Sequence, residues 1–172
     1  MIILISKFGV AKQNGLKTEI TMKIFSNVYK GKKVLVTGNT GFKGSWLTSW
    51  LLELGARVIG ISHNIPTKPS MFQELKLNKH ITNFNIDIRN QDTLEKIISE
   101  NKPDFIFHLA AQAIVSTSYL DPIDTITSNV LGTTNILESL RKINKECIAI
   151  IITSDKCYDN VEWVWGYREF DS

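Results

Sequence analysis

Two stretches of this chain place chemically competent side chains at short, ordered spacing. The first comes after an apolar run from Cys147 and reads Thr153-Ser154-Asp155-Lys156-Cys157-Tyr158. A hydroxyl, a carboxylate and an amine in succession at a strand end can hold an oxygen, give up a proton and take one, which is general acid–base chemistry. The plainer reading of those residues is a capped loop with a solvated Asp-Lys pair. The second stretch comes after Lys32-Lys33-Val34-Leu35-Val36 and reads Thr37-Gly38-Asn39-Thr40-Gly41-Phe42-Lys43-Gly44. Its glycines are spaced Gly-x-x-Gly-x-x-Gly between a short β-branched strand and an apolar helical run. Glycine lets the backbone turn tightly and approach a pyrophosphate, whose charge then faces the N–H groups and positive dipole end of the helix. A tight strand–helix turn with no ligand can carry the same glycines. The strand before, the helix after and Thr37 narrow the reading to a dinucleotide site.

The elements that must position these residues alternate. Phe42, Trp46, Leu47, Trp50, Leu51 and Leu54 form one apolar helical stripe, capped by Gly55. Ala56–Ser62 reads as a second strand, His63–Ser70 as a loop and Met71–Leu77 as a turn or two of helix. Thr82–Ile86 is a short strand with Phe84 and Ile86 on one side. Gln91–Glu100 is a helix with Leu94, Ile97 and Ile98 on one face, and Asp104–Leu109 is an apolar strand. A loop over Ala110–Leu120 leads to Asp121-Pro122, an N-cap and a first-turn proline. The helix they start is expected to reach about Lys142, with Ile123, Ile126, Val130, Leu137 and Leu140 as core contacts. Cys147–Thr153 is expected to be a buried strand. Such alternation implies right-handed crossovers and an α/β, doubly wound parallel sheet.

Ligands of open α/β sheets sit beyond the C-terminal strand ends. Besides the glycine turn, those ends carry Ser62-His63-Asn64, Asp87-Ile88-Arg89, Leu109-Ala110-Ala111-Gln112 and Thr153-Ser154. The second strand lacks the carboxylate that often holds the ribose of NAD, so that position leaves NAD and NADP both open. Asp87 could instead cap a helix, and the alanines could simply permit close packing.

Bulk properties set limits. A chain of 172 residues, 43% of them apolar, can bury one core. A net charge of +3, from 20 basic and 17 acidic residues spread along the chain, suggests neither nucleic acid nor a membrane surface as partner. No run approaches the roughly 20 apolar residues of a membrane span. Two cysteines without metal-ligand spacing fit reduced thiols in the cytoplasm, and no metal site is expected. Residues 1–21 show no period and read as a poorly ordered extension, with Met22 as a plausible start.

With those residues in view, the chain resembles the nucleotide-sugar 4,6-dehydratases of the extended short-chain dehydrogenase/reductase group, in particular those acting on CDP-glucose. The resemblance spans about residues 24–171. It rests on Thr37-Gly38-Asn39-Thr40-Gly41-Phe42-Lys43-Gly44-Ser45-Trp46-Leu47, on His108-Leu109-Ala110-Ala111-Gln112 and on Asn129-Val130-Leu131-Gly132-Thr133-Thr134-Asn135. Thr153–Tyr158 and Glu162-Trp163-Val164-Trp165-Gly166-Tyr167-Arg168-Glu169 complete it. It implies a Rossmann-type domain over residues 22–172 that binds NAD through Thr37, Gly38, Thr40, Gly41, Phe42, Gly44, His63, Asp87, Ile88, Leu109, Ala110, Ala111, Gln112, Asn129 and Thr153. It also implies a hydride moved from C4 of CDP-glucose to NAD, water lost across C5–C6, and the hydride returned to C6. The product would be a 4-keto-6-deoxy sugar for surface polysaccharides.

Ser154 would bond the 4-oxygen, Asp155 would protonate the leaving 6-hydroxyl, and Lys156 would take the C5 proton. That last role needs a neutral amine, which burial and neighbouring positive charge favour. Asn39 stands where the family often has histidine, and Ser116 where a basic residue is expected. The family's Tyr-x-x-x-Lys pair would come after Tyr167, beyond Ser172, as would the substrate lobe and one helix of the usual homodimer. The chain is therefore expected to act as an incomplete, C-terminally truncated domain with little turnover. The competing readings are a non-catalytic NAD(P)-binding module and a related epimerase or reductase.

Overall fold

The computed structural model describes residues 24–154 and 157–172. The expected extension over residues 1–21, Met22, and the candidates Asp155 and Lys156 lie outside the described residues.

Five strands form one parallel sheet: β1 (Lys33–Thr37), β2 (Arg57–Ser62), β3 (Thr82–Asn85), β4 (Phe105–His108) and β5 (Ile148–Ile151). Their spatial order is β3-β2-β1-β4-β5, the first five positions of the doubly wound dinucleotide-binding sheet. In β1, Leu35 points to one face and Val34 and Val36 to the other, because side chains alternate along a strand. Both faces are covered. Leu35 joins Ile59, Ile61, Ile106, Leu94, Ile98 and Ile136 in one core, while Val34 and Val36 join Leu51, Val58 and Phe105 in the other. The second core is roofed by α1 (Phe42–Glu53), and the first by α3 (Gln91–Asn101) and α6 (Gly132–Lys142). Between β2 and β3 the expected turn or two of helix is α2 (Met71–Glu74), then a 3₁₀ turn at Leu77–Lys79. Phe84 and Ile86 pack together on the first core, as their spacing implies.

The caps agree with the sequence. Gly55, at φ +77°, ends α1, its N–H reaching the Leu52 carbonyl while the Ala56 N–H reaches that of Leu51. The Asn90 side chain caps α3 by accepting the Thr93 N–H at 3.1 Å, so Asp87 is not the cap. Asp121 caps α5 (Pro122–Ile126), accepting the Asp124 N–H at 2.9 Å.

Four expectations need correction. Half of the stripe on α1 faces outward: Phe42 is 72%, Trp46 59% and Trp50 47% exposed. Of that stripe only Leu51 is fully buried, and Gly44, Ser45 and Thr48 are buried with it. The helix start rests directly on the backbone of the glycine turn, where only small side chains fit. The run Ala110–Leu120 is not all loop, because α4 occupies Val115–Leu120. From Asp121 to Lys142 the chain is helical, but α5 and α6 are joined by a π-helical turn, Thr127–Leu131. The wider turn shifts the phase of the helix after it. Leu137 therefore faces outward, as do Val130 within the turn and Ile123 and Ile126 ahead of it, while Gly132, Asn135, Ile136 and Ser139 are buried. Only Leu140 of the expected set packs on the core. Finally, β5 is an edge strand and Ile148 is exposed. Its apolar composition suits a central strand, but among the described residues only β4 flanks it. Cys147 is accordingly half-buried and Cys157 exposed, both as free thiols.

Candidate dinucleotide site at the carboxyl edge of the sheet

Register brings the candidate residues together. Thr37 pairs with Ile61 and with His108, Ser62 with Asn85, and His108 with Ile151, so all five strands end on one edge. At its centre the three glycines differ in what surrounds them. Gly38 turns at φ +71°, and a Cβ there would lie 2.9 Å from the Ala110 nitrogen. A Cβ on Gly44 would overlap the Gly38 carbonyl oxygen and sit 2.8 Å from Asn39 Cα. A Cβ on Gly41 would meet only that same oxygen, at 3.4 Å, with open space beyond. The first glycine thus lets the turn approach the backbone after β4, the third lets turn and helix pack, and the second leaves backbone bare where a ligand would approach. No side chain caps α1, so its first amides keep the bonding capacity that suits an anion. This cradle fits a pyrophosphate.

Beneath the cradle lies a polar floor. The buried Asn39 amide donates to Asn83 Oδ1 at 2.8 Å and accepts the Ser62 hydroxyl proton at 2.8 Å. Thr40 is tied to the end of β2: its N–H reaches Ser62 Oγ at 3.3 Å and its hydroxyl the Asn64 carbonyl at 2.6 Å. The Ser45 hydroxyl donates to the Asn39 carbonyl at 3.1 Å. Phe42 and His63 are both exposed beside this turn.

On the β3 side, Arg89 lies between Asp87 at 2.5 Å and Asp124 at 2.6 Å. Hydrogen bonding to Arg89 holds the Asp87 carboxyl below its ordinary range, outweighing the opposing effect of burial. Ile88 is buried against Gly132, and the Asn135 amide donates to the carbonyls of Ile88 at 3.0 Å and Arg89 at 3.1 Å.

On the β4 side, Thr37 is fully buried and its hydroxyl faces inward. Its Oγ1 accepts the N–H groups of Leu109 and Ala110, both at 3.1 Å, and lies 2.7 Å from His108 Nδ1. Asn129 grips the neighbouring loop from both ends. Its Oδ1 accepts the Gln112 N–H at 2.8 Å and its amide donates to the Gln112 carbonyl at 3.0 Å. Gln112 in turn donates to Thr125 at 3.0 Å. Ala111 is exposed and Ala110 half-buried. Thr153 and Ser154 emerge exposed after β5, and the Ser154 carbonyl accepts the Cys157 N–H at 3.4 Å.

A family model described as GDP-mannose 4,6 dehydratase matches residues 35–169. The chain belongs to that family. It is 49% identical over 146 residues to the CDP-glucose 4,6-dehydratase of Salmonella typhimurium, covering 85% of this chain but 41% of that protein. It therefore spans about two-fifths of the length of that relative. Among solved structures it resembles the UDP-glucose 4-epimerase of Thermus thermophilus in complex with NAD. The TM-score is 0.57 at 34% identity, over 64% of this chain and 34% of that one. The UDP-glucose-4-epimerase of Stenotrophomonas maltophila, with a TM-score of 0.71 at 22% identity over 82% of this chain and 42% of that one, shares the fold.

Within this dehydratase family member, the residues to which the sequence assigned no role in the site are the supports. Asn39, Ser62 and Asn83 form the floor, and Gly60 lies so close that a Cβ would overlap the Asn39 amide. Asn135 backs the β3 end, and His108 with Thr133 backs the β4 end. Lone polar residues within apolar runs were the available signal. Of the four tyrosines only Tyr29 has a lysine four residues on, Lys33. Tyr29 packs its ring against Phe105 and Phe107 at the opposite edge of the sheet. Tyr167 instead stacks on Tyr158 at 5.0 Å. Among the described residues no cluster of His, Cys, Asp and Glu could hold a metal ion, and no helix is long and apolar enough to cross a membrane.

Proposed function

We propose that this chain is the NAD-binding part of a nucleotide-sugar 4,6-dehydratase whose substrate is CDP-glucose. The observation that carries the reading is the 49% identity to a CDP-glucose 4,6-dehydratase over 85% of the chain. The open cradle at Gly41 supports it chemically, and a related epimerase of known structure holds NAD.

In this reading the backbone around Gly41 and the start of α1 hold the pyrophosphate. Thr37, Gly38 and Gly44 shape the turn, and Thr40 and Phe42 flank it. With the strands in the order β3-β2-β1-β4-β5, the adenosine half would lie near His63, Asp87 and Ile88, and the nicotinamide half near Leu109–Gln112, Asn129 and Thr153. NAD would supply the acceptor for the C4 hydride and its donor back to C6. Ser154 would bond the sugar 4-oxygen, Asp155 would protonate the departing 6-hydroxyl, and Lys156 would remove the C5 proton. Residues supplied by the rest of the relatives' length would complete the sugar site, and a homodimer would form from the complete protein. The setting is the cytoplasm, where Cys147 and Cys157 would stay reduced.

The test is calorimetric titration of the purified chain with NAD and NADP, then with CDP-glucose and GDP-mannose on the NAD-loaded protein. Micromolar affinity for NAD, and then for CDP-glucose over GDP-mannose, is the expected result. Loss of the cofactor affinity would refute the cradle, and preference for the guanosine sugar would refute the substrate.

A further inference from the structure

His108 closes β4 and is buried, with both ring nitrogens bonded. Its surroundings admit one arrangement of protons. Thr37 Oγ1 accepts the Ala110 N–H and shares the Leu109 N–H with the Thr37 carbonyl, which lies 3.2 Å from that nitrogen, so amide protons face both of its lone pairs. Its own proton must then go to His108 Nδ1, 2.7 Å away. Nδ1 is an acceptor, so the imidazole proton sits on Nε2. That nitrogen lies 3.0 Å from Thr133 Oγ1, whose hydroxyl proton is committed to the Asn129 carbonyl at 2.6 Å. The Thr37 hydroxyl, His108 Nε2–H and the Thr133 hydroxyl then each have one acceptor in the line. The relay runs from the Leu109 and Ala110 amides through Thr37, His108 and Thr133 to the backbone of Asn129. The Asn129 side chain returns it to the site, holding both the N–H and the carbonyl of Gln112.

The relay joins two parts of the edge that share no strand. Thr37 leads into Gly38, whose missing Cβ makes room for the Ala110 backbone. Leu109–Gln112 is the loop beside it. Resting on the reading of this edge as a dinucleotide site, we propose that His108, as the neutral Nε2–H imidazole, is a positioning residue that locks the glycine turn to the 109–112 loop. The two halves of the cofactor site then move as one unit. A protonated ring would place a proton on Nδ1 facing the Thr37 hydroxyl proton, and the relay would have to break at its first joint. A merely space-filling core histidine would stabilise the fold in either tautomer and leave the loop's order independent of it.

Three measurements on the whole chain decide between these. Nitrogen-15 spectra of histidine-labelled protein should show a protonated Nε2 and a bare Nδ1 for His108, and the reverse tautomer overturns the relay. Amide exchange at Leu109 and Ala110 should rise about tenfold in His108→Phe relative to Val36 and Ile106. In His108→Asn it should stay near wild type, because the carboxamide oxygen replaces Nδ1 as acceptor for Thr37. Thr133→Val, which alters a half-buried position, should loosen the same two amides and so serves if the phenylalanine variant does not fold. Equal exchange changes across the sheet would make His108 structural only and overturn the proposal. In the folded fraction, the dissociation constant for NAD should rise about tenfold for His108→Phe and less than about threefold for His108→Asn. An unchanged constant in His108→Phe likewise overturns it. A wild-type chain without NAD affinity would sink the cofactor reading alone, and the relay would then stand or fall on tautomer and exchange.

Discussion

Replacing Gly41 and Gly44 by alanine should separate ligand binding from folding, since one methyl group enters space and the other enters backbone. Gly41 sits at φ −71°, ψ 169°, a conformation open to any residue, so Gly41→Ala has no backbone cost and should change stability by less than about 1 kcal/mol. Its methyl would occupy the surface that a pyrophosphate must reach. Losing one or two charge-assisted hydrogen bonds at roughly 1.5–3 kcal/mol each should weaken NAD binding about tenfold or more. At Gly44 the new Cβ would overlap the Gly38 carbonyl and crowd Asn39 Cα at 2.8 Å. These are backbone atoms with no rotamer to escape into, so overpacking should cost about 3 kcal/mol, offset by about 1 kcal/mol of better helix propensity. The net loss of about 2 kcal/mol should lower the melting temperature by roughly 4–8 °C. Circular dichroism melts and calorimetric NAD titrations of both variants make the assay. A Gly41→Ala protein that binds NAD like the wild type, or a Gly44→Ala protein that melts with it, would refute the reasoning for that glycine.

Three further outcomes concern other parts of the edge. Burial pushes the His108 imidazole down to about 4; the unfolded ring titrates higher, so stability should fall by about 3 kcal/mol as pH drops from about 6.5 to 4, and urea melts of His108→Gln should lack that slope. Arg89→Gln removes the bridge from Asp87 to Asp124. Because the Asp87 carboxyl is held low, its contribution is present above the ordinary carboxylate range and is lost as pH falls through the folded value. The stability gap to wild type, about 1 kcal/mol for so accessible a pair, should therefore be full at neutral pH and close below about pH 4 in a denaturant series. Asn135→Ala leaves the Ile88 and Arg89 carbonyls without their donor, and chemical denaturation should show a loss of about 1–3 kcal/mol.

Features set by neighbours in the chain were legible in the sequence. The strand Val34–Val36, the glycine turn, the Gly55 cap, the Asp121-Pro122 start and the face of Leu94, Ile97 and Ile98 depend on local periodicity and capping chemistry. The strand ends that carry His63, Asp87, Ile88 and Leu109–Gln112 could be placed on one edge because alternating strands and helices force a parallel sheet. The candidate site was legible as a set of backbone positions for the same reason.

The faces of α1 and of the α5–α6 run were not, because apolar side chains need not point inward where a helix must come close to the sheet. Gly44 is buried where a larger group would collide with the turn, Ser45 and Thr48 share its face, and that leaves Phe42 and Trp46 outside. The π-helical turn over Thr127–Leu131 moved the phase of α6 by an amount no heptad count contains. Composition likewise made β5 read as buried, whereas among the described residues it lies at an edge of the sheet. By itself, then, the sequence determined the order of the elements, the glycine spacing and the chemistry at each strand end, all of which are local. Tertiary structure alone decided that Thr37 turns inward to His108, that Asn39 bonds Ser62 and Asn83, and that Asn129 holds Gln112. These bonds join residues 17 to 71 positions apart, and only the packing of one strand end against another brings them within reach.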